Sequence, residues 1–158
     1  MTNRYSTHLP MLAACVAHTS GPVLELGCGE FSTPVLSALC LARHLLSVES
    51  DPAWLAQFDY LRRAGHRIEL VESWDDAPID VQWDVVLIDH APAARRVVDI
   101  MRLKDLARLI VLHDTEHRLY EYDLIWPAFK YRAEWKRRAP WTSVVSNFES
   151  LEWLEPIL

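Results

Sequence analysis

Cysteine is scarce in this sequence of 158 residues, which contains only Cys15, Cys28 and Cys40. No two of them have the CxxC spacing, and no pair of histidines completes a zinc-finger pattern. An odd number of cysteines without such a pattern argues against a disulfide framework. The sequence therefore predicts a reducing compartment, the cytoplasm.

Long hydrophobic runs are also missing, since no stretch approaches the roughly 18 apolar residues that a bilayer-spanning helix needs. Residues 9–17 have the length of a signal-peptide core. However, Pro10 interrupts the start of this segment, His18 and Thr19 follow it, and only Arg4 precedes it. We predict a helix there and no membrane partner.

The composition is that of an ordinary folded protein, with 51% hydrophobic and 24% charged residues, which excludes general disorder. The chain contains no repeats, low-complexity runs or Gly/Ser linker, and its length fits a single domain spanning residues 1–158. The formal net charge of −6 argues against wholesale binding of a nucleic-acid backbone. Nucleic acid is therefore not an expected partner.

Short apolar runs alternate with helical patterns along most of the chain. Five runs are predicted strands, at residues 23–27, 44–49, 67–71, 85–88 and 109–112. Three segments between them are predicted helices, at residues 33–43, 52–64 and 93–107. Ser32 or Thr33 is the expected N-cap of the first of these helices, at residues 33–43. This alternation predicts an α/β fold with a parallel sheet covered by helices on both faces.

The end of the chain departs from the alternation. A short helix is predicted at residues 120–126, followed by strand-like runs at residues 129–134 and 141–146. The connection between these two runs is too short for a helical crossover, so we expect an antiparallel hairpin. The predicted fold class is a doubly wound α/β sheet, mostly parallel, with an antiparallel C-terminal hairpin.

The ends of the predicted strands carry most of the candidate functional residues. In open α/β sheets ligands bind beyond the carboxyl ends of the strands. A glycine turn or acidic residues follow all five runs, at residues 27–30, 49–51, 72–75, 89–90 and 113–116. A single acid after a strand is common as a helix cap, but the repetition at five strand ends favours a ligand site.

The turn Gly27-Cys28-Gly29 follows a strand and opens a helix, so that backbone can approach a ligand closely. Glu49 lies 22 positions after Gly27, near the spacing expected for an acid that accepts hydrogen bonds from a ribose diol. The third glycine of a dinucleotide-binding fingerprint would fall at position 32, which is Ser32. This departure argues against a pyrophosphate site.

These segments resemble the motifs of class I S-adenosylmethionine-dependent methyltransferases. The first is Val-Leu-Glu-Leu-Gly-Cys-Gly at 23–29, and the others lie at residues 47–51, 71–75, 84–90 and 111–115. The resemblance implies a Rossmann-like fold, S-adenosylmethionine as cofactor and methyl transfer as the reaction. It also implies that Gly27 and Gly29 admit the methionine part, Glu49 holds the ribose, and Ser73 and Trp74 flank the adenine. The full set of implied cofactor-binding residues is Glu25, Gly27, Cys28, Gly29, Glu49, Ser50, Ser73, Trp74 and Asp89.

The fourth and fifth strand ends are similar to those of catechol O-methyltransferase-like enzymes, in which two aspartates and an asparagine hold magnesium. Asp89 and Asp114 match the aspartates, but Thr115 stands in place of the asparagine, and a hydroxyl is a poor substitute as a ligand. No lysine base is evident where Arg95 and Arg96 stand. We therefore favour a site without metal, and a divalent ion at Asp89 and Asp114 remains the alternative.

The candidate catalytic residues are His113, His90, Asp89 and Asp114. A histidine at a strand end, with a pKa near neutrality, suits a general base acting on a hydroxyl. His113 and His117 have the i, i+4 spacing of a helical metal site, but His113 follows a buried strand, which argues against that arrangement. We expect O-methylation of a small-molecule acceptor.

The last third of the chain is rich in aromatic residues, which would line a pocket or bury the interface of a homo-oligomer: Trp126, Tyr131, Trp135 and Trp141. The basic run at residues 130–138 is a solvated hairpin or a docking site for an anion. Two other functions remain open. One is a non-catalytic S-adenosylmethionine-binding protein or subunit, and the other is a nicotinamide-dependent oxidoreductase, which Ser32 and the terminal hairpin disfavour.

Overall fold

In the computed structural model, which describes residues 4–158, seven strands form one sheet in the order β3-β2-β1-β4-β5-β7-β6. The strands are β1 (Val23–Leu26), β2 (Leu45–Glu49), β3 (His66–Leu70), β4 (Trp83–Ile88), β5 (Ala107–His113), β6 (Tyr131–Trp135) and β7 (Thr142–Ser146). The α-helices are α1 (Leu9–His18), α2 (Ser32–Leu39), α3 (Pro52–Leu55) and α4 (Ala93–Leu103). Short 3-10 helices lie at Arg4–Ser6, Ala56–Leu61, Trp74–Asp76, Arg118–Tyr120, Tyr122–Leu124, Trp126–Ala128 and Glu152–Ile157.

The sheet has the predicted mixture of strand directions. Strands β1 to β5 are paired in parallel. Strand β7 is antiparallel to both β5 and β6, so the second strand of the hairpin lies inside the sheet and the first lies at its edge. The predicted fold class, a Rossmann-like sheet that is mostly parallel with an antiparallel C-terminal hairpin, is confirmed.

Both faces of the sheet are covered, which explains the unbroken apolar runs of the central strands. Neighbouring residues on one strand enter opposite cores: Val85 packs with α1 and α2, whereas Val86 packs with α4. Met11 of α1 and Leu36 of α2 belong to the first core, and Ile100 of α4 belongs to the second. The sheet is therefore a central layer between two layers of helix.

Helix α1 confirms the helix predicted at residues 9–17. No helix in the described part of the chain is long and apolar enough to cross a membrane. All three cysteines are buried as free thiols, as expected for a chain without a disulfide framework.

Helix α2 ends at Leu39, four residues before the predicted end at position 43. The Arg43 side chain explains the early end, because its guanidinium donates to the carbonyl oxygens of Val16, Thr19 and Gly21. These bonds hold residues 40–43 as a turn against the end of α1. The predicted N-cap is also wrong, since the helix begins at Ser32 itself and Phe31 occupies the cap position.

The helix predicted at residues 52–64 is only one turn of α-helix, α3, followed by the 3-10 helix Ala56–Leu61. Three residues per turn place positions 55, 58 and 61 on one face. Leu55 and Phe58 use that face to pack against Ile68 of β3. Packing on the sheet therefore overrides the α-helical pattern.

Two further predicted helices are shorter than expected. Helix α4 ends at Leu103 rather than 107, because Ala107 already pairs with Trp83 at the start of β5. The helix predicted at residues 120–126 is replaced by separate 3-10 turns. Glu121, with φ of 52°, and Pro127 interrupt any continuous helix there.

The order of the strands places a topological switch point between β1 and β4. From β1 the chain first adds β2 and β3 on one side, and it then returns to add β4 and β5 on the other. Gly27 lies directly after β1 at this point, with φ of +90°. A Cβ atom on Gly27 would lie 2.7 Å from the carbonyl oxygen of Asp89 and from the backbone nitrogen of His90. The absence of a side chain at Gly27 thus lets the ends of β1 and β4 meet.

We predict that Gly27→Ala lowers the free energy of unfolding by about 3 kcal/mol or more, because it adds both a left-handed strain and a backbone clash. Gly29→Ala is the matched control. Its Cβ would clash only with the Oγ of Ser32, at 2.7 Å, which can rotate away at the cost of its hydrogen bond to Glu25, so the expected cost is about 1 kcal/mol. Urea denaturation measures both values. Equal losses in the two variants would contradict the assigned role of Gly27.

Candidate active site

A cavity of about 430 Å³ opens at the carboxyl ends of β1, β4 and β5. Residues 28–32 and Trp54 line it together with Asp89, His113 and Asp114. Tyr5, His8 and Pro140 complete the lining. The volume lies within the range of about 300–1,000 Å³ typical of small-molecule sites. The cavity therefore joins the glycine turn to the ionisable residues of the other strand ends.

Glu25 supports the glycine turn from within the protein interior and does not line the cavity. Its side chain is fully buried and accepts hydrogen bonds from the hydroxyls of Thr33, at 3.0 Å, and Ser47, at 2.6 Å. The backbone N–H of Gly29 donates to the same Thr33 hydroxyl at 2.9 Å. Burial raises the pKa of Glu25 to about 7, although the hydroxyls oppose the shift. Glu25 thus links β1, β2 and the first turn of α2.

Glu49 fastens the glycine turn to the end of β2. Its Oε2 accepts the backbone N–H of Cys28 at 3.1 Å, and its Oε1 accepts those of Ser50 and Asp51 at 2.7 and 3.0 Å. Trp54 adds a second link, because its Nε1 donates to the carbonyl oxygen of Cys28 at 2.6 Å. These bonds bring Glu49 and Ser50 against the glycine turn, although of these residues only Cys28 and Gly29 belong to the cavity wall.

Trp74, predicted beside the adenine, lies in the hydrophobic core away from the cavity wall. Its side chain is buried, and its Nε1 donates to the carbonyl oxygen of Ala91 at 2.8 Å. Ser73 uses its hydroxyl to accept the backbone N–H of Asp75 at the start of a 3-10 turn. The structure therefore does not bring Ser73 and Trp74 together with the glycine turn.

His90 also differs from its expected place, because its side chain faces α4 and not the cavity. It is buried and lies 2.9 Å from Asp99, which also binds Arg95. Its ring packs on Trp74 with centroids 4.3 Å apart. Burial lowers the pKa of His90 despite the opposing charge of Asp99. The prediction of His90 as a general base therefore does not fit its position, which favours a structural role.

Asp89 and His113 form a pair in the cavity wall. The Nδ1 of His113 lies 3.2 Å from Oδ2 of Asp89, and its Nε2 lies 3.2 Å from the hydroxyl of Thr7. Burial alone would lower the pKa of His113, but the hydrogen bond and charge of Asp89 raise it above its ordinary value. Burial alone would raise the pKa of Asp89, but His113 and Arg96 hold it below its ordinary value. The pair therefore favours a negative carboxylate beside a positive partner.

Arg96 of α4 contacts two acids of the candidate site, a contact that the sequence pattern did not predict. Its guanidinium is buried and donates to Asp89 at 2.8 Å and to Asp114 at 3.5 Å. Asp114 is positioned for this contact by a left-handed backbone, with φ of 60°. The sequence does contain a signal for this charge, since Arg95 and Arg96 stand at the helix position where the resemblance implies a lysine base.

The magnesium site of catechol O-methyltransferase-like enzymes does not fit these residues. Arg96 is already paired with both Asp89 and Asp114, the two expected carboxylate ligands, and holds a positive charge between them. The expected third ligand, Thr115, accepts a hydrogen bond from the hydroxyl of Ser143 at 3.2 Å. Asp89 and Asp114 are thus arranged as an ion-pair cluster around a guanidinium.

His8 is a second residue that the sequence analysis missed, because it lies far from the motifs in the chain. It occupies the N-cap position of α1 and lines the cavity. Only 2% of the residue is exposed, and its ring lies edge-on to His113 with centroids 4.6 Å apart. Burial lowers the pKa of His8 to about 4, and the nearby His113 adds to this effect.

The aromatic residues of the last third pack mainly on the two cores, and within residues 4–158 none of the four predicted positions lines the cavity. Arg132 lies over the Trp126 ring at 3.6 Å, and Lys136 lies over Trp141 at 4.8 Å. Glu134 pairs with both basic residues. These contacts favour a solvated hairpin for the basic run, and a homo-oligomeric interface stays a prediction.

Comparisons with known proteins agree on the fold. No protein-family model matches the chain, and none of the curated proteins does. A putative caffeoyl-CoA O-methyltransferase from Staphylococcus aureus superposes with a TM-score of 0.68 at 13% identity, over 92% of this chain and 84% of that one. N-methyltransferase NodS from Bradyrhizobium japonicum gives 0.64 at 12% identity, over 90% and 94%. The N-terminal domain of human METTL16, in complex with SAH, gives 0.58 at 14% identity, over 94% and 73%. The chain thus has the fold of class I S-adenosylmethionine-dependent methyltransferases, as its resemblance in sequence predicted.

The raised pKa of Glu25 predicts a pH-dependent stability. Between its ordinary value of 4.5 and about 7, the folded protein keeps a proton that the unfolded chain releases. The contribution of Glu25 to the free energy of unfolding should therefore fall as pH rises through this range. Urea denaturation from about pH 5 to about pH 8 should show Glu25→Gln gaining stability relative to wild type, with a plateau above about pH 7.

Ser47→Ala provides the internal check, because loss of this hydroxyl removes a bond that stabilises the carboxylate. In that variant the pH range of the effect should move upward. A stability difference between Glu25→Gln and wild type that stays constant with pH would contradict the assignment.

Proposed function

We propose that this protein is an S-adenosylmethionine-dependent methyltransferase that methylates a hydroxyl group of a small molecule. The observation that carries the proposal is the cavity at the switch point, which connects the glycine turn with Asp89, His113 and Asp114. The cavity wall offers backbone of the glycine turn, which Glu49 holds through the N–H of Cys28, together with side chains that hold or move a proton. Its volume suits a small molecule, and the acidic net charge argues against a nucleic-acid acceptor.

The cofactor would supply a methyl group on a positively charged sulfur, which direct displacement transfers to the acceptor. Residues 27–29 would border its methionine part, since Cys28 and Gly29 form cavity wall and Gly27 keeps the turn close to β4. Glu49 already accepts three backbone N–H groups, two of them on Oε1. A carboxylate offers about four acceptor sites, so Oε2 of Glu49 retains one for a ribose hydroxyl.

Trp54 takes the aromatic role in this proposal that the sequence analysis gave to Trp74. It lines the cavity, whereas Trp74 is held within the core. The indole of Trp54 is fixed by its hydrogen bond to Cys28, beside the end of β2. An aromatic face there suits the adenine ring.

The acceptor would lie at the other end of the cavity, where the negative Asp89 orients His113. We assign to Nδ1 of neutral His113 the uptake of the acceptor proton, and to Oδ2 of Asp89, 3.2 Å away, the stabilisation of the imidazolium that forms. Asp114 lies beside them and shares Arg96 with Asp89. Alignment of donor and acceptor accounts for most of the catalysis in a direct displacement.

Binding of the cofactor gives the first test. Calorimetric titration with S-adenosylhomocysteine should show Glu49→Ala weakening the affinity by about 1.5–3 kcal/mol, or about 10- to 150-fold, the usual value for hydrogen bonds to a charged group. Glu72→Ala is the matched control, since Glu72 is an exposed acid after the neighbouring strand β3. Equal affinities of the two variants would refute the role of Glu49, and tighter binding of NAD would favour an oxidoreductase.

Methyl transfer to a panel of small phenolic and aliphatic hydroxyl compounds gives the second test. His113→Gln should lower kcat by about 10²-fold or more without weakening cofactor binding. His90→Gln is the matched control, because it makes the same change at a strand end outside the cavity, and it should retain most of the rate. Equal losses in both variants would contradict the assignment. Cofactor binding without turnover of any acceptor would replace the proposal with a non-catalytic binding protein.

A further inference from the structure

Three side chains at the acceptor end of the cavity bring donor atoms close together. His8, Asp89 and His113 each contribute one nitrogen or oxygen, and these three atoms lie within 4.8 Å of one another. In the part of the chain that the structure describes, this is the one group of three such residues with that spacing. Two imidazoles and a carboxylate are a common ligand set for transition metals.

The protons around His113 identify which of its nitrogens is free to bind a ligand. The hydroxyl of Thr7 donates to the carbonyl oxygen of Pro140 at 2.7 Å. Because a hydroxyl has one proton, the oxygen of Thr7 accepts a hydrogen bond from Nε2–H of His113, at 3.2 Å. A neutral His113 then has an unprotonated Nδ1, which faces Oδ2 of Asp89 at 3.2 Å. Two lone pairs at this distance repel each other unless a cation lies between them, either a proton or a metal ion.

His8 supplies an independent observation. Within residues 4–158 neither of its ring nitrogens has a hydrogen-bond partner, although the residue is 98% buried, as its exposed fraction of 2% shows. A buried polar group without a partner costs about 1–3 kcal/mol. A ligand that binds a nitrogen of His8 removes part of that cost. The neighbours within reach are the donor atoms of His113 and Asp89.

We propose that His8, Asp89 and His113 form a binding site for a divalent first-row transition-metal ion such as Zn²⁺. The separation of 3.2 Å between Nδ1 of His113 and Oδ2 of Asp89 matches that of adjacent ligands, about 3.0–3.5 Å, around an ion with bonds of about 2.0–2.2 Å. The donor atom of His8 lies within 4.8 Å of the donor atoms of His113 and Asp89, and rotation of the His8 ring would bring it to the ion. Imidazole nitrogen disfavours Mg²⁺, which prefers oxygen ligands.

The surroundings of the three residues match the outer contacts that metal sites need. Thr7 fixes His113 through Nε2, as a second partner typically does for a histidine ligand. Arg96 binds Oδ1 of Asp89 and leaves Oδ2 for the ion. Its charge is offset by Asp89 and Asp114 together. The proposed site therefore differs from the magnesium site in its ligands, using His8 and His113 and leaving Asp114 to Arg96.

The remaining coordination positions would face the cavity, since all three residues line it. A catalytic metal site keeps such an open position, where a bound hydroxyl loses its proton more readily. This consequence rests on the proposed function, because it places the acceptor oxygen on the ion. Metal binding itself does not depend on methyl transfer and is tested separately.

The experiment uses the untagged full chain, freed of metal with EDTA and titrated calorimetrically with ZnCl₂ and, in parallel, with MgCl₂. We expect one Zn²⁺ per chain and no competing Mg²⁺ binding. His8→Gln, which keeps a polar side chain of similar size, should weaken Zn²⁺ binding at least about 100-fold, since loss of an outer partner alone costs 10–100-fold. His44→Gln is the matched control, because His44 is exposed and lies outside the cavity.

A spectroscopic readout keeps the test decisive if His8→Gln folds less well. Co²⁺ bound to the wild type and to His44→Gln should give the same visible absorption, which His8→Gln should lose while its far-ultraviolet circular dichroism is unchanged. Zn²⁺ binding of equal strength in His8→Gln, or no Zn²⁺ binding by the wild type, would overturn the site. Titration with S-adenosylhomocysteine in the presence of EDTA separates the two failures. If the cofactor product still binds without metal, only the metal site is wrong and the proposed function stands.

Discussion

The close approach of β1 and β4 at Gly27 is the constraint on which the site depends. A Cβ atom there would lie 2.7 Å from the backbone of Asp89 and His90, so these two strand ends meet only because position 27 is glycine. The contact places the turn at 28–32 in the wall of the same cavity as Asp89 and His113. Glu25 then holds the turn through the hydroxyl of Thr33, and Glu49 holds it through the backbone N–H of Cys28. The cavity is thus a product of backbone packing at the switch point.

Charge at the far end of the cavity is organised around Asp89. One carboxylate oxygen binds Arg96 and the other faces His113, so the aspartate links α4 to β5. Arg96 also reaches Asp114, which leaves one net negative charge among these three groups. That remaining charge favours a positive partner near Asp89. Both proposals draw on this feature, since the cation between Nδ1 of His113 and Oδ2 of Asp89 is a proton in one and a metal ion in the other.

The sequence predicted the fold well, because strand and helix periodicity depends on local burial, and both faces of the central strands are covered. It also predicted Glu49, Asp89, His113 and Asp114 at one edge, since parallel strands end together. It could not predict which way a side chain faces at a strand end, so His90 and Trp74 were placed in the site although they point to the core. His8 reaches the cavity, and Arg96 reaches Asp89 and Asp114, through tertiary packing that the sequence pattern does not encode.

The most direct test of this account is a crystal structure of the protein with S-adenosylhomocysteine bound. The account predicts the adenine against Trp54, the ribose at Glu49, and the sulfur in the cavity between the turn at 28–32 and His113. An acceptor placed in the remaining space would then lie within reach of both the sulfur and His113. An adenine packed against Trp74, or a sulfur directed away from Asp89 and His113, would contradict it.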